Sequence, residues 1–253
     1  MKIIYSFEDY YRLFTLARVR TQSAQDYQFF EQYQCNLLIK YFHNNNIVLQ
    51  NKLLLDLGCG LGGFVKEFNR NGARSIGLDL EISNSSPSMM MTRSNALVTP
   101  FDSNLFDMVS CASLIEHVPN PKALVAEIVR ITRPAGYIYI SFPPFYSLRG
   151  GHQFSPFHLF GERFALWAFR IIKQKSNKNW GDQRLAHDPD SYGQAFGSWG
   201  LYRMTLKKCE EILKESPIRI IDCSTKFSFI NFTKVPIFRE FLTWHVQYLI
   251  TKL

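Results

Sequence analysis

The stretch Leu53–Gly63, LLLDLGCGLGG, holds the first residues whose types and spacing could do chemistry. An apolar run ends in a turn bearing Gly58, Gly60, Gly62 and Gly63. Glycine lets the backbone approach a ligand closely, and a helix starting there offers free N–H groups. Two readings satisfy the spacing. Gly58, Gly60 and Gly63 make G-x-G-x-x-G, with Asp79 about 20 residues on, the pattern of a dinucleotide site. Gly58, Gly60 and Gly62 equally make G-x-G-x-G, with Asp56 just ahead of the first glycine. Asp56 tips the choice, because a carboxylate at a strand end attracts a cationic headgroup and repels a pyrophosphate. Three histidines could move a proton: His117 in Glu116-His117-Val118-Pro119, and His152 and His158 in GGHQFSPFHLF.

Holding such a turn requires a buried strand before it and a helix after it. Lys52–Leu57 suits a strand covered on both faces, Gly62–Asn71 a helix stopped by Gly72, and Ala73–Leu80 a second strand. Phe106–Ala112 reads as another buried strand, Lys122–Thr132 as a helix ended by Pro134 and Gly136, and Tyr137–Phe142 as a strand. This alternation predicts crossover units: an α/β, Rossmann-like doubly wound sheet of about seven strands, mostly parallel. Ahead of it, residues 21–43 place apolar side chains at helical spacing, predicting a helix that precedes the core rather than belonging to it. After Pro143-Pro144 the pattern breaks. Residues 143–203 are rich in aromatics, Gly and Pro, with a helix expected near 161–172, and read as an inserted lid. A helix at Thr205–Glu215, a strand at Ile218–Cys223 and another at Thr225–Phe232 follow. The apolar stretch Pro236–Leu253 is expected as a terminal helix docked on the sheet, or as a surface contact. The whole is expected to be one domain: an N-terminal extension to residue 50, a cofactor half at 51–142, the lid, and a C-terminal part from 204.

Of 253 residues, 46% are hydrophobic, enough for a full core, which excludes disordered and low-complexity classes. The net charge of +8 is uneven: the last hundred or so residues carry most of it, concentrated between Gly161 and Trp180. Five scattered cysteines without a Cys-x-x-Cys pair argue against a disulfide framework and a structural zinc site, so no metal is expected. A reducing, cytoplasmic compartment fits, and no apolar run reaches the length of a membrane span.

From these motifs the chain is identified as resembling the class I S-adenosylmethionine-dependent methyltransferases, in their small-molecule branch, closely over about residues 50–145. The resemblance implies S-adenosyl-L-methionine as cofactor. Its methionine part would be held by Asp56, Gly58, Gly60 and Gly62, with Cys59 in the same turn. Asp79, followed by Leu80, would bind the ribose hydroxyls. Asn95, followed by Ala96 and Leu97, would meet the adenine where many relatives have Asp, and Ser113 would follow the fourth strand. Ser113–Ser141 matches the fourth-strand loop, helix and fifth strand of that branch.

The acceptor is less directly written. His117 and His152 are the candidate catalytic bases, each set against the alternative of a packed loop histidine. Phe142-Pro143-Pro144-Phe145 differs from the Pro-Pro motif of amino-directed nucleic-acid enzymes, since it follows the fifth strand and lacks the polar first residue. Cys111 reads as a core thiol. Phe154, Phe157, Phe160, Phe164 and Trp167, followed by Lys173, Lys175 and Lys178 with Arg163 and Arg170 among them, suggest a lid over a small-molecule, sugar or lipid-linked acceptor. Such a lid could touch an anionic membrane surface, or simply roof the pocket with a solvated basic face. Nucleic acid ranks lower because the basic run is short. The expected activity is methyl transfer, O-directed; the alternatives are an RNA-directed enzyme and a non-catalytic cofactor-binding protein.

Overall fold

The computed structural model describes residues 4–82, 90–173 and 201–253. Its centre is a seven-stranded sheet in the order β3-β2-β1-β4-β5-β7-β6. β1 (Leu53–Leu57), β2 (Arg74–Asp79), β3 (Met91–Arg93), β4 (Phe106–Ala112) and β5 (Thr132–Phe142) are parallel. β7 (Val246–Lys252) runs antiparallel between β5 and β6 (Ile218–Thr225). The strand order reverses at β1, whose neighbours are β2 and β4, and ligands of open parallel sheets bind beyond the strand ends at such a reversal.

Alternation along the strands feeds two cores. Leu55, Leu57, Val109, Ile138 and Ile140 face α4 (Pro121–Ile131) and α6 (Leu206–Lys214). Leu54, Met108, Tyr139 and Leu249 face α2 (Ala24–Asn44) and α3 (Gly63–Arg70). The central parallel strands β1, β4 and the second half of β5 therefore read as mostly apolar runs, being covered on both sides. Helix α4 starts where it does because Asn120 Oδ1 accepts the Ala123 N–H at 3.0 Å and Pro121 occupies the first turn. On α4, Glu127 accepts from Thr99 N–H (2.8 Å) and Thr99 Oγ1 (2.6 Å) and is bridged by Arg130, which pins the loop after β3.

Three expectations need correction. The helix over 21–43 belongs to the core rather than preceding it: Leu38, Tyr41 and Phe42 of α2 are buried against the sheet. No strand spans Thr225–Phe232. β6 ends at Thr225, because Asn231 Oδ1 accepts the Thr225 N–H and Thr225 Oγ1 the Phe232 N–H, side-chain bonds that compete with a ladder. The terminal helix is instead a short turn of helix α7 (Arg239–Leu242) followed by strand β7. A seven-residue run buried on both faces shows no period, and apolarity alone cannot tell it from a buried helix. Helix α1 (Phe7–Val19) was not foreseen, although Ser6 and Asp9 form a capping box at its start. The Asp9 carboxylate also receives Lys40 Nζ at 2.6 Å, tying α1 to α2.

After β5 the chain builds a small separate core from Phe145, Phe154, Ala165 and Leu201. Helix α5 (Glu162–Lys173) forms near the expected place. Gly150 turns where a Cβ would collide with the Pro144 and Phe145 carbonyls, and His158 Nε2 bonds the Phe145 carbonyl at 2.8 Å. The side chains of Arg170, Ile172 and Lys173, and all of Lys175 and Lys178, lie outside the described residues. Among the described residues no helix is long and apolar enough to cross a membrane.

Candidate active site

A cavity of about 280 Å³ opens at the C-terminal ends of β1 and β4. Its floor is the glycine turn. Gly58, Gly60 and Gly62 have φ of 73°, 54° and 76°, left-handed values that only glycine adopts without strain. The turn is stitched to β2 by Gly58 N–H to the Leu78 carbonyl (2.8 Å) and Gly60 N–H to Asp79 Oδ2 (2.8 Å). A Cβ on Gly58 would meet Leu114 at 3.1 Å, an approach tight enough that the Leu114 side chain would have to give by a few tenths of an ångström. Helix α2 forms the opposite wall with Tyr27, Phe30, Glu31 and Gln34, and Gln28 Nε2 donates to the Leu61 carbonyl at 3.2 Å. That wall could not be read locally, because helix and turn lie far apart in sequence.

Asp56 sits in the floor, 3% exposed, paired in register with Gly77 and Ser110. Burial above all, then the nearby Asp79 charge, pushes its carboxyl up to about 7, against the lowering effect of Ser110 and Lys226. Lys226 reaches the same cavity from the turn after β6. It is 2% exposed, donates to Ser141 Oγ at 3.3 Å, and stands 5.0 Å from the Phe227 ring centroid. Burial lowers its ammonium to about 8, while Glu116, Cys35 and Asp56 act the other way. Nothing in the sequence singled out Lys226, since its role depends on β6 ending one residue earlier.

The side of the cavity beyond the floor is the loop after β4. Ser113 takes φ 56°, held by its N–H to the Ser141 carbonyl at 2.7 Å. His117 lines the cavity, and Glu116 beside it is 1% exposed with both carboxylate oxygens lacking a hydrogen-bond partner. Burial raises Glu116 to about 8. His152 comes in from the short turn His152–Phe154, its ring 4.9 Å from that of His117 and its Nε2 3.8 Å from Glu116 Oε1. Burial, then the neighbouring His117, holds the His152 imidazole down to about 3, so it is neutral.

Of the residues expected to bind cofactor, Asp56, Gly58, Cys59, Gly60, Asp79 and Ser113 line this one cavity. Gly62 caps α3 behind the turn. Leu80, Asn95, Ala96 and Leu97 are not among the lining residues; Asn95 Oδ1 accepts the Leu97 N–H at 2.9 Å in the loop that Glu127 pins. His117 and His152 are brought together, whereas His158 is buried elsewhere on the Phe145 carbonyl.

Residues 55–140 match the family model described as a methyltransferase domain. An uncharacterized methyltransferase of Mycobacteroides abscessus is 29% identical over 147 residues, 53% of this chain and 57% of that protein. The chain spans about half the length of the curated relatives it matches. Among solved structures, magnesium protoporphyrin IX methyltransferase from Synechocystis, with bound S-adenosylhomocysteine, shares the fold at TM-score 0.53 and 11% identity, covering 91% of this chain and 88% of that one. An S-adenosylmethionine-dependent methyltransferase from Mesorhizobium loti does so at 0.51 and 16% identity, covering 81% and 93%. Residues 55–140 thus match a methyltransferase domain, and the fold is one the chain shares with solved S-adenosylmethionine-dependent methyltransferases. S-adenosylmethionine is the cofactor of that class, and the residues present fit it. The left-handed glycines leave the backbone bare, Asp79 stands at the end of β2, and the buried Asp56 has a carboxyl that a cationic ligand would return to its ionised form.

Proposed function

We propose that the protein transfers a methyl group from S-adenosylmethionine to a hydroxyl of a small, largely apolar or lipid-linked acceptor. The observation that carries this reading is the continuity of the cavity, which runs from the glycine turn and Asp56 to Ser113 and His117 without an intervening wall. Asp56, the glycine turn and Asp79 hold and orient the cofactor, which supplies the electrophilic methyl. Lys226 balances the buried carboxylates beneath it. The Glu116-His117-His152 wall is where the acceptor oxygen would be oriented and relieved of its proton. Placing acceptor and methyl in contact supplies much of the rate, so fixed walls matter more than strong acids or bases.

An apolar acceptor is supported by α5 and the turn before it, where Phe160, Phe164, Trp167 and Ile171 stay exposed at helical spacing, 72%, 41%, 57% and 44% accessible. The same stripe would serve a peripheral contact with a lipid surface. The test is transfer from methyl-labelled cofactor into fractionated small molecules, lipids, RNA and protein. Label in a lipid or small-molecule fraction, lost in Asp56→Asn, supports the reading. Label confined to RNA or protein refutes the acceptor class, and no S-adenosylhomocysteine binding refutes the cofactor.

A further inference from the structure

Resting on the reading of the cavity as a methyl-transfer site, we propose that Glu116, His117 and His152 form a divalent transition-metal site beside it, with open coordination positions for an oxygen of the acceptor. One ligand atom from each of the three lies within 4.8 Å of the other two. Glu116 Oε1 is the hub, 3.9 Å from His117 Nε2 and 3.8 Å from His152 Nε2.

The second observation is the state of Glu116. A carboxylate 1% exposed, with neither oxygen hydrogen-bonded, is costly to leave in a fold. Lys226, whose charge reaches it, gives its hydrogen bond to Ser141. A cation held by Glu116 and two imidazoles would satisfy the carboxylate. Two histidines and one carboxylate are the donors of catalytic zinc and of open iron(II) sites, rather than of magnesium or calcium. Metal–ligand bonds of about 2.0–2.2 Å put neighbouring ligand atoms about 3 to 3.5 Å apart, so the two Glu116–His spacings must contract by about half an ångström and the His117–His152 spacing by up to about 1.5 Å.

The supports are already rigid. His117 N–H bonds the Leu114 carbonyl at 2.8 Å, the Glu116 carbonyl accepts the Tyr202 N–H at 2.7 Å, and His152 N–H bonds the Arg149 carbonyl at 3.1 Å. Three protein ligands leave positions free. Because His117 also lines the cavity, those positions open toward the space beside the cofactor turn. An acceptor hydroxyl bound there would lose its proton more readily, to solvent water in the cavity, before its oxygen takes the methyl group; the two imidazoles would act as ligands in place of bases.

The test uses the full, untagged chain freed of metal by a chelator and titrated with Co²⁺, then with Zn²⁺ as competitor. The expected result is one equivalent of Co²⁺ with visible d–d absorption, displaced by Zn²⁺. Glu116→Gln and His152→Ala should each weaken Co²⁺ by at least about tenfold. Melting with and without S-adenosylhomocysteine shows that the variants are folded and reads the cofactor site separately. Absence of Co²⁺ binding to a chain that S-adenosylhomocysteine stabilises overturns the metal site and leaves the methyl-transfer reading intact. Equal Co²⁺ affinity in the parent and both folded variants also overturns it. Co²⁺ binding sensitive to both substitutions, in a chain that S-adenosylhomocysteine does not stabilise, upholds the metal site and removes the cofactor reading.

Discussion

Asp56→Asn should make the ligand-free chain more stable and its cofactor site nearly useless. The Asp56 carboxyl, 3% exposed, rises from 3.8 to about 7 in the fold, chiefly through burial. A folded value above the unfolded one means that the protonated form is favoured on folding. Its stabilisation is complete below the unfolded value and is lost as pH rises through the folded one. With about 1.4 kcal/mol per unit, ionised Asp56 costs the fold up to about 4 kcal/mol at pH 8. Asparagine keeps the shape without the charge. Lys226 then loses one attractive neighbour, which takes back part of the gain. A net rise of about 1–3 kcal/mol remains, or about 3–10 °C in melting temperature for a chain of this size. The assay is thermal unfolding at pH 8 and pH 5, with and without S-adenosylhomocysteine. The parent should gain stability from the ligand in proportion to the logarithm of its concentration over Kd. The variant, without a charge-assisted bond to the ligand ammonium, should gain little even at high concentration. Its intrinsic advantage should shrink at pH 5, where Asp56 of the parent is itself protonated. A variant less stable than the parent at pH 8, or one stabilised by the ligand as strongly as the parent, would refute the assignment of Asp56 as a destabilised, ligand-seeking carboxylate.

Other expectations follow from the same geometry. In the parent, S-adenosylhomocysteine affinity measured by calorimetry should fall by about tenfold per pH unit below about 7, as Asp56 takes up the proton that competes with the ligand ammonium. Lys226→Met removes the cation that holds Asp56 and Glu116 down, so the pH midpoint of that binding should move upward; an unmoved midpoint would place Lys226 outside the site's electrostatics. Gly58→Ala forces a Cβ into a left-handed residue against Leu114 and should cost about 1–2 kcal/mol in denaturant unfolding, with cofactor affinity falling further. Glu127 is held at about 2 by Arg130 and Thr99, so its contribution is present above its ordinary value and lost as pH falls through about 2. Glu127→Gln should therefore cost about 1–2 kcal/mol at pH 7, and the deficit should vanish near pH 2.

How much of this was legible depended on whether a role was written in residues close together. The turn Asp56–Gly62 was readable because backbone conformation, close approach and charge sit in seven consecutive residues. β1 and β4 were readable because both faces are covered, leaving short, mostly apolar runs broken only by Asp56 in β1 and by Asp107 and Ser110 in β4. β7 failed on the same ground: a doubly covered run carries no period, and the contacts that make it a strand come from β5 and β6. α2 showed its helical spacing but not its destination, since Leu54, Met108 and Tyr139, which cover Leu38 and Phe42, belong to three separate strands. His117 and His152 were named singly. Their meeting depends on two loops leaving the adjacent parallel strands β4 and β5 at the same, C-terminal end of the sheet, which spacing along the chain does not encode.

The buried charges join the fold to the chemistry. Asp56, Glu116 and Lys226 are each at most 3% exposed, two potential anions and one cation taken out of water without a short ion pair between them. Burial pushes all three toward neutrality, the carboxyls up and the ammonium down. A fold selected only for stability would fill these positions with apolar groups, since buried ionic groups are at best neutral against well-packed hydrophobes. Their arrangement makes sense if positive ligands complete it: an ammonium at Asp56 and, on the metal inference, a divalent ion at Glu116. Each cation would ionise the carboxylate it meets, so binding should release a proton at neutral pH. Calorimetry in buffers of different ionisation enthalpy reads that proton directly. Release with S-adenosylhomocysteine that disappears in Asp56→Asn, and release with Co²⁺ that disappears in Glu116→Gln, would assign one proton to each carboxylate. Unchanged proton counts would mean that ligand binding does not draw on these charges.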